Sequence, residues 1–131
     1  MLLDTTFLID LLRGKDPQVL KRAKELDEHL ESKGVASITI MELWRGAMQS
    51  LYQETEKRKV NELLSSLFQY PFQELEAKKS GEIEAELIKN GTMIDLEDIM
   101  IAGVAKVHHE PILTRNKKHF SKVHGLHVET Y

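Results

Sequence analysis

Short apolar runs alternate with stretches of helical period along the whole chain, and this alternation constrains the fold more than any single motif. Met1-Leu2-Leu3, Val35-Ala36-Ser37-Ile38, the segment 110–114 around Ile112-Leu113 and the segment 126–129 have the length and the apolar or β-branched character of strands. Stretches of helical length separate them. Such strands cannot pair as tight hairpins; crossover helices join them in parallel and cover both faces of the sheet. The expected fold class is α/β, a three-layer α/β/α arrangement around a mainly parallel central sheet.

Local signals place the helices. Phe7, Leu8, Leu11 and Leu12, ended by Arg13-Gly14, read as a first helix after Asp4. Asp16-Pro17 offers an N-cap and a first-turn proline for a second, with Val19, Leu20, Ala23, Leu26 and Leu30 on one face. Thr39-Ile40-Met41-Glu42 fits a capping box opening a third helix through Leu43, Ala47 and Leu51. A fourth follows over 54–67 through Val60, Leu63, Leu64 and Leu67, and Tyr70-Pro71-Phe72 then marks a break and a short edge strand. Leu75, Ile83, Leu87 and Ile88 lie in a charged helix stopped by Asn90-Gly91. Ile99, Ile101, Ala102, Val104 and Ala105 make a helix that belongs deep in the core, and 116–123 reads as a short one.

A length of 131 residues predicts a single domain, 1–131, since roughly 100 to 200 residues make one. The absence of cysteine excludes a disulfide scaffold, a thiolate zinc site and a Cys nucleophile. Apolar runs fall far short of the ~18 residues of a membrane span. Asp4 and Asp10 interrupt what would be a secretion signal, so a cytoplasmic location is expected. With a net charge of −3, bulk electrostatics does not draw the chain to nucleic acid, and any such contact needs a local patch.

Ligands of open parallel sheets bind outside the carboxyl ends of the strands. There stand Asp4, then Ser37, Thr39 and Glu42, then Asp95, Glu97 and Asp98 at the start of the apolar helix, and finally Thr114, Arg115 and Asn116. Each acid has a capping role open to it. Convergence argues for more, because Asp4, Glu42 and Asp98 gathered in one volume repel and either hold a proton or call in a cation. Hard oxygen ligands suit Mg²⁺ or Mn²⁺, and a divalent ion suits phosphodiester hydrolysis.

The sequence resembles PIN-domain ribonucleases, in particular the VapC-like toxins of type II toxin–antitoxin systems. Leu2-Leu3-Asp4-Thr5-Thr6-Phe7-Leu8-Ile9-Asp10, Ser37-Ile38-Thr39-Ile40-Met41-Glu42-Leu43-Trp44-Arg45-Gly46, Asp98-Ile99-Met100-Ile101-Ala102-Gly103 and Leu113-Thr114-Arg115-Asn116-Lys117-Lys118-His119-Phe120 carry the likeness in their order and spacing. It implies a PIN-like fold and a Mg²⁺- or Mn²⁺-dependent endoribonuclease. Asp4, Glu42 and Asp98 form its acidic cluster and hold the metal, and Thr6 supports it. It further implies a homodimer and a small cognate antitoxin occupying the groove at the site.

This chain departs from the family in one respect. The fourth acid is expected at Asn116 or His119, and neither is a carboxylate. Asn116 is counted with the catalytic set as an uncharged oxygen donor, and His119, Thr114 and Arg115 as supporting groups, the arginine for developing charge. Asp95 and Glu97 are read as solvated helix-start charges, and His108, His109, His124 and His127 receive no role. Met41, Trp44 and Met48 are expected in the core or on a dimer face, while Tyr52, Leu63, Leu67 and Phe68 suit an antitoxin or dimer contact. A haloacid-dehalogenase-like phosphatase fails because Thr6 stands where its second acid belongs, and a receiver domain fails because no Asp follows the Val35 strand. The rival that survives is a catalytically impaired PIN-like module that binds RNA or protein.

Overall fold

The computed structural model describes residues 1–29 and 32–131. Along the chain come β1 (Leu2–Leu3), α1 (Thr5–Arg13), α2 (Pro17–Glu28), β2 (Gly34–Ala36), α3 (Ser37–Met48) and α4 (Gln53–Ser65). The second half runs β3 (Phe68–Tyr70), α5 (Glu74–Asn90), α6 (Leu96–Val107), β4 (Ile112–Leu113), α7 (Lys117–Phe120) and β5 (Val128–Glu129). The strands order as β3-β2-β1-β4-β5, and every pairing is parallel.

The period-two pleat of the inner strands divides the interior. Leu2, Ala36 and Ile112 join one buried cluster with Ile83, Leu87, Ile99, Ala102 and Phe120 from α5, α6 and α7. Leu3, Val35 and Leu113 join a second with Phe7, Leu8, Val19, Leu26, Leu43 and Val60 from α1 to α4. Burial on both faces explains why these strands are apolar throughout rather than alternating. The result is the three-layer α/β/α sandwich expected from the sequence. No helix among the described residues is long and apolar enough to cross a membrane.

Several boundaries have identifiable causes. Gly14 and Gly91 end α1 and α5 at φ 64° and 65°, a conformation glycine adopts without strain. Asp16 caps α2 by accepting from the Gln18 amide at 2.9 Å. Helix α5 opens on a capping box between Gln73 and Glu76 that the sequence reading did not identify. Gly103 of α6 lies against α5: a Cβ there would meet Ser80 Oγ at 2.0 Å and the Glu76 carbonyl oxygen at 3.1 Å.

Some expectations need correction. The third helix opens at Ser37, so Thr39 lies inside its first turn and forms no capping box with Glu42; its hydroxyl is buried against Thr5 instead. Leu20, Leu75 and Ile88 are exposed although their spacing grouped them with buried positions, and Leu30 lies outside the described residues. On α3, Met41 (51%), Trp44 (37%) and Met48 (44%) are open to solvent, which excludes the core reading for them. The last helix is also shorter than 116–123. His108 has a structural place, with Nε2 3.2 Å from Glu76 Oε1 and its ring 4.6 Å from that of Tyr70, so it ties the end of α6 to the start of α5.

Gly103→Ala should destabilise the fold by about 1–3 kcal/mol in urea unfolding, because the added methyl overlaps the Ser80 side chain and crowds the Glu76 carbonyl of α5. A change below about 0.5 kcal/mol would show that α5 yields freely and that the close approach is not required.

Candidate active site

Asp4 follows β1 directly. Its amide donates to the Leu113 carbonyl at 3.0 Å, which continues the ladder by one residue and fixes the side chain at the carboxyl end of the sheet. It occupies the N-cap position of α1 yet makes no side-chain capping bond. Its Oδ2 instead accepts from Thr114 Oγ1 at 2.7 Å and from Thr6 Oγ1 at 3.0 Å. Thr114 Oγ1 accepts in turn from the Asn116 amide at 2.8 Å, and Thr6 Oγ1 from the Arg115 amide at 3.2 Å. Both hydroxyl protons are thereby committed to one carboxylate oxygen, and among the described residues no donor reaches Oδ1.

Glu42 projects from the second turn of α3, where Thr5 Oγ1 donates to its Oε1 at 2.7 Å. Thr5 and Thr39 are both buried and lie 3.0 Å apart through their hydroxyls, so a threonine pair anchors the carboxylate from below. Arg45 Nη2 approaches Glu42 Oε2 at 3.9 Å. Asp98 stands in the first turn of α6, whose N-cap residue Asp95 also makes no side-chain capping bond. Its Oδ2 lies 3.0 Å from His119 Nδ1 and 3.4 Å from Asn116 Nδ2, and these two partners are 2.7 Å from each other.

Asp4 at the N-cap of α1 and Asp98 in the first turn of α6 thus turn to partners outside their own helices. Burial pushes the Glu42 carboxyl above the ordinary range; the Thr5 bond and Arg45 oppose the rise, whereas Asp4 and Glu97 add to it. Burial likewise raises Asp98, against the His119 bond and charge, with Asp4 and Asp95 reinforcing the rise. Asp4 therefore acts on both of the other acids, a repulsion that a cation would relieve. The donors are hard oxygens with one imidazole and no thiolate, a set that fits a divalent ion.

The structure also brings together a group of possible ligands that was not expected as a set. Ligand atoms of Asp95, Asp98 and His119 all lie within 4.8 Å of one another, a grouping that excludes Asp4 and Glu42 and includes an acid read as merely solvated. A capping pattern was the only sequence signal at Asp95, and it concealed this proximity. Arg115 turns its guanidinium onto Asp10, which also accepts from Tyr131 Oη at 3.0 Å, so its charge is engaged away from Asp4 and Asp98. Asp10 was absent from the expected set because its partners lie more than a hundred residues along the chain. Beside Glu42 a groove of about 380 Å³ runs between α1, α3 and α4, lined by Ile9, Leu12, Arg13, Leu43 and Val60.

A PIN domain model matches residues 1–126. The chain is 31% identical over 130 residues to Ribonuclease VapC2 of Haemophilus influenzae, covering 99% of this chain and 96% of the relative. It is 30% identical over 130 residues to the tRNA(fMet)-specific endonuclease VapC of Salmonella typhimurium, with the same coverage. Among solved structures, a chain in DNA-bound VapBC from Salmonella typhimurium superposes with a TM-score of 0.90 at 30% identity, covering 98% of this chain and 96% of that one.

Because the carboxyls of Glu42 and Asp98 are raised, what they contribute to stability is present at low pH and is lost as pH rises through their folded-state values. In protein stripped of cations, Asp98→Asn should therefore raise the thermal midpoint at about pH 7.5, and the gain should shrink towards about pH 4. A midpoint unchanged or lowered at the higher pH would mean that Asp98 is not held above its ordinary range.

Proposed function

As a member of the PIN-domain family, and within it of the VapC ribonucleases, the chain is an endoribonuclease, and we propose that it hydrolyses RNA at the Asp4, Glu42 and Asp98 cluster as the toxin of a type II toxin–antitoxin pair. The observation that carries the site assignment is the set of threonine hydroxyls that holds two of the three acids, Thr6 and Thr114 on Asp4 and Thr5 on Glu42, while burial raises Glu42 and Asp98 and the charge of Asp4 adds to both rises.

PIN-domain ribonucleases are metal-dependent, and here Asp4, Glu42 and Asp98 are the acids proposed to hold Mg²⁺ or Mn²⁺, directly or through water. Such an ion, when bound, polarises the phosphate, acidifies a water and neutralises the departing oxygen. The chain's own residues do the rest. Thr6 and Thr114 keep Asp4 fixed by donating to Oδ2, and Thr5 sets the rotamer of Glu42. Asn116 and His119 hold Asp98 through Oδ2. The exposed Lys117 and Lys118, with Arg45, supply the basic patch that an acidic protein needs to engage a phosphate backbone. With Arg115 committed to Asp10, these three cations take the role of neutralising charge on the RNA.

The Salmonella relative is named for action on tRNA(fMet), which makes initiator tRNA the first substrate to test. VapBC is the assembly in the superposed Salmonella structure, and the groove beside Glu42 offers an antitoxin segment apolar walls next to Arg13 and the acidic cluster. A second copy of the chain would pack on the exposed Met41, Trp44 and Met48 of α3.

Purified protein given Mg²⁺ or Mn²⁺ should cut RNA to products with 5′-phosphate and 3′-hydroxyl ends. Asp4→Asn and Asp98→Asn should each lower the rate by about 100-fold or more while leaving the far-ultraviolet spectrum unchanged. Cleavage that survives both substitutions, or leaves cyclic 2′,3′-phosphates, would refute the site and the water-attack chemistry.

A further inference from the structure

We propose that Asp95, Asp98 and His119 ligate the cation together, so that an imidazole nitrogen takes the place of the family's fourth carboxylate and the site selects Mn²⁺ over Mg²⁺. The inference rests on the metal-dependent ribonuclease reading and deepens it. Exposed acids gather on many proteins without binding anything. Here the gathering occurs at the acidic site of a chain from a family of metal-dependent ribonucleases, and it includes Asp98 of the family motif.

Three observations select these residues. Their ligand atoms lie within 4.8 Å of one another, inside the span one ion bridges, and Asp4 and Glu42 are not in that group. Asp95 is exposed, makes no capping bond and forms no salt bridge among the described residues, so no competing role occupies its carboxylate. His119 stands on α7, which follows β4 at the carboxyl end of the sheet, and its Nδ1 faces Asp98 Oδ2 at 3.0 Å. Asn116 Nδ2 lies 2.7 Å from the same Nδ1 and 3.4 Å from Asp98 Oδ2. The amide is thus the neighbour that orients both ligands, a positioning residue. Asp4 and Glu42 lie outside this group and would hold the same ion through water.

Ligand chemistry sets the preference. Mg²⁺ takes oxygen donors in a near-ideal octahedron and binds imidazole poorly, whereas Mn²⁺ accepts a nitrogen among carboxylates. An all-carboxylate site lacks this discrimination.

Apo protein loaded with one equivalent of Mn²⁺ should show ¹⁴N modulation from a histidine ligand in pulsed electron paramagnetic resonance, and His119→Gln should abolish it while the protein stays folded by circular dichroism. By calorimetry, Asp95→Asn should weaken Mn²⁺ binding by about tenfold, and His119→Asp should retain binding while narrowing the Mn²⁺-over-Mg²⁺ preference by at least about tenfold. Bound Mn²⁺ without ¹⁴N modulation, or with modulation that persists in His119→Gln, overturns the histidine ligand and leaves the ribonuclease reading intact. Failure of wild-type protein to take up either ion overturns both.

Discussion

Mutual repulsion among carboxylates at one edge of a parallel sheet is the constraint on which the remaining structure turns. Asp4 bears on both Glu42 and Asp98, and burial together with that repulsion holds the two above the ordinary carboxylate range. Left to themselves, such groups would swing into solvent or take up protons. They are restrained by short polar side chains: Thr6 and Thr114 on Asp4, Thr5 on Glu42, Asn116 and His119 on Asp98. Hydroxyls are well suited to this work because each donates one proton to the carboxylate and still accepts from a backbone amide, as Thr6 and Thr114 both do. The acids are in this way held in a state that a cation would relieve.

The fold makes this possible at modest cost because its two jobs are separated. Leu2, Leu3, Val35, Ala36, Ile112 and Leu113 alternate between two cores and bear the burden of packing. The polar residues that follow those strands are then free to face the sheet's edge. Helices α1, α3 and α6 start at that edge; Asp4 and Asp95, the N-cap residues of α1 and α6, make no side-chain capping bond, and α3 follows Ala36, whose side chain has no acceptor to offer. Their amide ends favour ionised carboxylates nearby by roughly 0.3–1 kcal/mol each, which partly offsets the repulsion. Where capping serves stability alone, as at Asp16 of α2 and Gln73 of α5, the bonds are made.

Much of the architecture was legible because strand and helix periods are local properties. Apolar runs separated by helical stretches imply parallel strands under two helical layers, and Gly14, Pro17 and Gly91 mark their boundaries through backbone preferences any chain would share. The misreadings arose where one residue type serves two purposes. Thr39 and Glu42 have capping-box spacing, yet the helix begins at Ser37 and both side chains answer to Thr5, which is distant in the chain. Met41, Trp44 and Met48 follow core periodicity but lie on the outer side of α3. His108, given no role, links α5 to α6.

Strand apolarity, helix punctuation, the order of the acidic motifs and the missing fourth carboxylate are written in the residues themselves, since each depends on near neighbours or on composition. Which groups meet at the edge of the sheet was decided only by the tertiary structure. The engagement of Arg115 by Asp10, the sharing of Asp4 Oδ2 between two threonines and the approach of Asp95 and His119 to Asp98 all join separate elements of the fold. Contacts of that kind depend on how β1 and β4 align and on where α6 and α7 enter the layer. Those distances come from packing of the two cores, to which local periodicity carries no reference.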